Sequence, residues 1–287
     1  MAVGARLERR KRSHKVMQRT RRIALCALAA CGLIAVGAAS ASAALPELGR
    51  CVAVEGKTGK FKGKSCGPES PTSTGKYEFI PGAGAAPAFE GAGAESITLE
   101  TVGGRKIFCP NAETKGEYTG AKTEKLLFIA EGCEDSVLHE TCQSLASEEK
   151  EPKPIPGRIK SQPLKGELGF ISGKGGNRPL IGWDIKPETG SIVAAFECGP
   201  TATGTQVQLE GSYIGQIKPT SKMVEEFHYK YKETKGKQQP EAFEGGEKDT
   251  LTAKFTKGLL ETTTEQIGYK SSEEVITEEA YEYKTKP

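Results

Sequence analysis

Apolar side chains recur on every second residue along most of this chain. Ile97 to Val102, then Gly103-Gly104, then Arg105 to Cys109 reads as a hairpin with a two-glycine turn. Glu124 to Glu131 supplies a further apolar strand ending near Cys133. Each further run keeps a parity of its own: Leu164, Leu168 and Phe170, then Ile181, Trp183 and Ile185, then Ile192, Ala194, Phe196 and Cys198. Val207, Leu209 and Tyr213 follow, then Met223, Phe227, Tyr229 and Tyr231, then Leu251, Ala253 and Phe255, and lastly Val275, Tyr281 and Tyr283. Period-2 runs separated by Gly, Pro and Lys-Gly turns predict antiparallel sheets. The expected fold is all-β, an antiparallel sandwich or barrel over residues 96–287, with at most one short helix. No fixed repeat period is present, which argues against a propeller or solenoid.

Three stretches break this rhythm. Residues 44–81 predict a small N-terminal hairpin unit, with strands at Cys51–Val54 and Lys76–Ile80 around a Gly/Lys-rich arm. Residues 82–95 are rich in Gly, Ala and Pro and read as a linker, with Phe89 their only large side chain. Ser136 to Lys150 is helix-like, since Leu138, Cys142 and Leu145 fall at spacings of four and three before Pro152, Pro154 and Pro156.

The first 43 residues have a different pattern. Nine basic residues from Arg6 to Arg22 precede an uncharged apolar run from Ile23 to about Ala38, and Ala39-Ser-Ala-Ser-Ala43 offers Ala-x-Ala cleavage sites. This is the expected layout of a signal peptide over 1–43, and Met17 is an alternative start that would give a more ordinary length. Two rivals stay open: lipidation at Cys31 within Leu28-Ala-Ala-Cys31, and an uncleaved anchor of roughly 20 residues. Thr20-Arg21-Arg22 matches twin-arginine export poorly.

Removing that segment reverses the sign of the charge. The whole chain carries 40 Lys+Arg against 37 Asp+Glu. Without the nine basic residues and single acid of 1–43, it carries 31 against 36, a net charge of −5. Neither nucleic acid nor, after cleavage, a membrane is then an expected partner. An extracellular polymer or cell-wall component is the kind of partner left.

Six cysteines remain: Cys51, Cys66, Cys109, Cys133, Cys142 and Cys198. An even number in an exported chain reads as three disulfides. Proximity in sequence favours Cys51–Cys66 and Cys133–Cys142, leaving Cys109–Cys198. No Cys-x-x-Cys occurs, Asp135, Asp184 and Asp249 are the only aspartates, and His139 and His228 are the only histidines after residue 43. That supply predicts no metal ligands and no cofactor.

Leu45-Pro-Glu-Leu-Gly-Arg-Cys-Val and Gly75-Lys-Tyr-Glu-Phe-Ile-Pro-Gly resemble the start of a family of uncharacterised secreted proteins of high-GC Gram-positive bacteria. Leu99-Glu-Thr-Val-Gly-Gly, Gly116-Glu-Tyr-Thr-Gly, Pro163-Leu-Lys-Gly-Glu-Leu-Gly and Lys235-Gly-Lys-Gln-Gln-Pro-Glu extend the likeness over most of the chain. The stretch 136–150 departs from it, since a smaller Gly/Ala-rich loop is expected there. The resemblance implies export and relatedness, and no activity or site.

Motifs for chemistry fare poorly. Gly63-Lys-Ser65-Cys-Gly67 matches a nucleophile elbow, but Lys60, Phe61 and Lys62 before it and Pro68 after it supply neither the buried strand nor the helix required. His228 lies on the strand face opposite Phe227 and Tyr229, and His139 sits beside Glu140. The 34 glutamates make any carboxylate pair uninformative. Trp183 beside Asp184 could stack a sugar, though a core tryptophan is the commoner role. Gly173–Arg178 reads as a hairpin tip, and Lys230–Lys237 as a solvated strand end. No catalytic or binding residue is assigned. The sequence favours a secreted or cell-surface binding or structural module over an enzyme. The alternative is a secreted, glutamate-dependent hydrolase of cell-wall or plant polysaccharide, betrayed by a cleft gathering Trp183, a histidine and two glutamates.

Overall fold

The computed structural model describes residues 45–137, 139–145, 154–200, 203–258 and 261–286. It is all-β and antiparallel, as the alternation predicts. The first strands are β1 (Glu47–Ala53), β2 (Tyr77–Pro81), β3 (Ala88–Gly93), β4 (Ile97–Thr101), β5 (Lys106–Cys109) and β6 (Asn111–Tyr118). Then come β7 (Thr123–Glu131), β8 (Glu134–Asp135), β9 (Glu140–Ser144), β10 (Arg158–Lys160), β11 (Leu164–Ser172) and β12 (Leu180–Pro187). The last are β13 (Ile192–Cys198), β14 (Thr205–Gly211), β15 (Tyr213–Lys218), β16 (Val224–Thr234), β17 (Lys237–Gln239), β18 (Leu251–Lys257) and β19 (Glu261–Lys284). Among the described residues the only helical element is a single 3₁₀ turn at Glu55–Lys57.

The pairings close on themselves twice. In one ring the order is β3, β6, β7, β11, β12, β15, β16, β19 and back to β3. In the other it is β4, β5, β8, β9, β13, β14, β18, β19 and back to β4. Closure leaves no open edge in either ring, which removes the usual route to edge-to-edge aggregation. Strand β19 serves both: residues 261–270 complete the second ring, and 271–277 lie in the first.

Register decides what fills the first ring. Phe89 faces Gly116, which faces Leu126, which faces Leu164. Tyr118 faces Glu124, Glu124 faces Gly166, and Leu168 faces Trp183. Large rings thus sit against glycines, and the eight-strand interior is packed with side chains rather than open. A Cβ at Gly116 would collide with the Phe89 ring and the Lys125 carbonyl. Gly116→Ala is therefore expected to lower stability by about 1–3 kcal/mol, the usual cost of overpacking. An unchanged urea midpoint would show that Phe89 has room to move.

This register corrects the reading of 82–95 as a linker. Strand β3 runs through it, Phe89 is 3 % exposed, and its glycines lie close to neighbours, Gly91 against Thr114, Glu273 and Val275 and Gly93 against the backbone of Glu95 and Ala112. Likewise, β1 pairs with β2 on one side and with the end of β19 on the other, so residues 44–81 share hydrogen bonds with the main sheet.

The helix-like reading of 136–150 also fails where it can be followed. Strand β9 covers Glu140–Ser144, with Cys142 and Ser144 buried on one face, a period of two rather than 3.6. Leu138 and residues 146–150 lie outside the described residues. A spacing of four and three among only three apolar residues was too short a pattern to separate helix from strand.

The disulfides are Cys51–Cys66, Cys109–Cys133 and Cys142–Cys198. The first is the pair that proximity favours; the other two correct it. Phe108 pairs with Glu134, Glu134 with Thr141, and Cys142 with Cys198. Continued by one residue, that register sets Cys109, Cys133, Cys142 and Cys198 side by side in one row across β5, β8, β9 and β13. Joining the middle two would leave the outer two three strand spacings apart, roughly 14 Å. That exceeds the reach of a disulfide, about 7 Å between Cα atoms. Only the outer-to-inner pairing uses all four.

Candidate functional site

The first ring encloses a cluster of polar groups within its aromatic core. Trp183, from β12, donates its indole N–H toward the hydroxyls of Tyr229 and Tyr283, at 3.2 and 3.1 Å. Those hydroxyls lie 2.6 Å apart, and Tyr118 approaches them at 3.0 and 3.1 Å. Trp183 is 0 % exposed. It is a core residue whose N–H is satisfied internally, and it presents no face to a sugar. Burial pushes the Tyr229 and Tyr283 phenols well above their ordinary range, so the cluster stays protonated and bonded.

Two carboxyls lie in the same interior. Glu273, on β19, accepts from Thr114 Oγ1 at 2.9 Å and from Tyr269 OH at 3.4 Å. Burial lifts its carboxyl to about 7, although those two hydrogen bonds pull the other way. Glu124, on β7, is raised well above the usual carboxylate range, first by burial and then by Glu273. Its Oε2 has no hydrogen-bond partner among the described residues. A buried carboxylate is costly, so Glu124 favours its protonated form in the folded state and Glu273 keeps its proton up to about pH 7.

A third perturbed carboxyl sits on the outside of the ring. Asp184 contacts Lys186 Nζ at 3.3 Å, and Lys186 reaches Glu167 at 3.1 Å. Burial and then the neighbouring Asp249 raise Asp184 to about 6. Asp249 is held by Ser212 Oγ at 2.7 Å, in the segment 240–250 that lays Phe243 over Gly169.

Perturbed carboxyls are where acid–base chemistry is usually sought. Glu124 and Glu273 are enclosed, however, with 1 % and 4 % exposure. The space where the two rings meet is an apolar cavity of about 20 Å³ lined by residues such as Ile97, Phe128, Leu209 and Tyr269, too small for more than a water. No reacting atom of a substrate could reach these groups.

The residues weighed from sequence are scattered. Ser65 is exposed in the turn 63–67, next to the disulfide-bonded Cys66, whose N–H bonds the Gly63 carbonyl at 3.0 Å. His139 is exposed beside Glu134 at 3.0 Å, and His228 faces outward from β16, 3.9 Å from Glu226. The described residues contain no group of three or more His, Cys, Asp or Glu that could hold a metal ion. No helix among them is long and apolar enough to cross a membrane. What sequence reasoning missed is the pair Glu124 and Glu273. Their signal was parity, because Glu124 alternates with Leu126 and Phe128, and Glu273 with Val275.

No family model, curated protein or solved structure matches the chain. Fold and interior alone define the class: a disulfide-stapled antiparallel β protein with two filled, strand-sharing rings.

Proposed function

We propose that the chain is exported and acts outside the cell membrane, secreted or at the cell surface, as a binding or structural module. The observation that carries this reading is the use of all six cysteines after residue 43 in three disulfides, which persist in oxidising compartments. The basic, apolar and Ala-x-Ala segments of 1–43 and the resemblance to secreted proteins support it. The hydrolase alternative needs paired carboxylates in an open cleft with Trp183 and a histidine. Glu124 and Glu273 are enclosed, and the open recess of about 540 Å³ that Glu225 and Glu226 line has neither Trp183 nor a histidine in its walls. Production in a secreting Gram-positive host tests the reading. The expected product begins at or near Ala44 and has no titratable thiol without reductant. A cell-associated product with an intact N-terminus and six or more free thiols would overturn it.

A further inference from the structure

We infer that the arm between β1 and β2, residues 55–76, is a docking surface for an anionic polysaccharide. The arm carries Lys57, Lys60, Lys62, Lys64 and Lys76 against Glu55 and Glu69, a net charge of +3. The rest of 44–287 has 26 basic and 34 acidic residues, a net of −8. The arm is one of two basic segments on an otherwise acidic chain. The other is Lys230–Lys237, whose four lysines have Glu233 among them in sequence and whose Lys230 pairs with Glu95 at 3.8 Å. A basic segment on an acidic body draws a polyanion to itself.

The arm is built to present these charges. Gly59, Phe61, Ser70 and Gly75 are buried, while all five lysines are exposed. Cys51–Cys66 anchors the arm covalently. Gly59 and Gly75 exchange backbone hydrogen bonds, as do Phe61 and Tyr77, and Lys62 N–H donates to the Pro68 carbonyl at 3.0 Å. Lys60 lies over the Phe61 ring and pairs with Glu69 at 3.2 Å. Lys57, Lys62, Lys64 and Lys76 have no carboxylate within ion-pair distance among the described residues, so their charge is open to a partner.

The chemistry of the arm selects the class of polyanion. Its cations are all lysines, point charges without the planar fork that suits bidentate phosphate recognition. Its one aromatic residue, Phe61, is 6 % exposed and offers no face on which a base could stack. Exposed Thr58, Ser65, Thr72 and Ser73 instead place hydroxyls among the ammonium groups, matching a chain of sugar hydroxyls and carboxylates or sulfates.

This inference rests on the proposed extracellular role and gives it a partner. The test uses protein collected from the culture medium and sequenced at its N-terminus, so that failure of export is seen separately from failure of binding. Binding is measured to polygalacturonate, heparin, neutral dextran and duplex DNA at low and high salt. We expect salt-sensitive binding to the two anionic glycans, none to dextran, and about tenfold weaker binding by K57Q/K62Q/K64Q/K76Q, in keeping with four modest surface contributions. A control, K115Q/K230Q/K254Q/K270Q, removes four exposed lysines of the body and is expected to bind like the parent. Equal loss in the control, no binding to either glycan, or tighter binding to DNA than to both glycans would overturn the inference. Both variants alter exposed side chains only, and unchanged urea midpoints confirm that folding is not what is read.

Discussion

Removing the Cys142–Cys198 disulfide by paired alanine substitution is expected to cost about 4 kcal/mol, the figure for a closed loop of this length in the chain-entropy account. The bond spans 56 residues, against 24 for Cys109–Cys133 and 15 for Cys51–Cys66. The cost also has a native-state part, since both sulfurs are fully buried where β9 joins β13. The C51A/C66A pair is expected to lose less, about 3 kcal/mol, and to leave both rings intact. Urea denaturation of the two paired variants ranks them. A smaller loss for C142A/C198A than for C51A/C66A would contradict the assignment of that bond to ring closure. Peptide maps of unreduced protein showing Cys109 joined to Cys198 would contradict the four-cysteine row itself.

Stability is expected to fall as pH rises through the weakly acid range, the reverse of most proteins held by surface carboxylates. Glu273 titrates at about 7 when folded and near 4.5 when the chain is open. Below about pH 4.5 both states hold the proton and the group contributes no difference. Between 4.5 and 7 the unfolded chain releases the proton while the folded chain keeps it, so each step upward favours unfolding. Above about 7 the loss is complete, at about 3 kcal/mol from this group. Glu124 is shifted in the same direction and adds to the slope. Glu273→Gln keeps the shape and the acceptor for Thr114 without a titrating proton, so its urea midpoint should vary less between pH 4.5 and 8 than the parent's. An equal slope in E273Q would assign the pH dependence elsewhere, with Asp184, lifted to about 6, the next group to replace.

Alternation alone revealed much of the sheet. The parities of Ile181, Trp183 and Ile185, of Phe227, Tyr229 and Tyr231, and of Leu251, Ala253 and Phe255 are the buried faces of β12, β16 and β18. Closure into rings was not legible, because pairing partners are set by register between distant strands. Residues 261–266 contain no apolar side chain, so alternation could not mark them, yet they pair with β18 along their whole length. Phe89 looked isolated in a Gly/Ala stretch because its packing partners, Gly116 and Tyr118, lie on another strand. The disulfides were misassigned for a related reason. Cys133 and Cys142 are neighbours in both sequence and space, and only the positions of Cys109 and Cys198 at the ends of the row exclude their union. The interior carboxyls were hidden by abundance, since 34 glutamates conceal two that sit on an apolar parity.

Strand β19 follows every other described strand in the sequence, and a chain is synthesised from its N-terminus. Until 261–284 emerge, both sheets are gapped, with β3 and β16 lacking a common neighbour in one and β4 and β18 in the other. The nascent protein is therefore a pair of unsealed sheets that exposes the strand edges the finished one conceals, and it must be kept from self-association during that interval. The four aligned cysteines, on β5, β9 and β13 and at the residue before β8, all precede β19 in the sequence. Oxidation of that row can precede sealing, so the covalent cross-links hold the register open for a strand that arrives last.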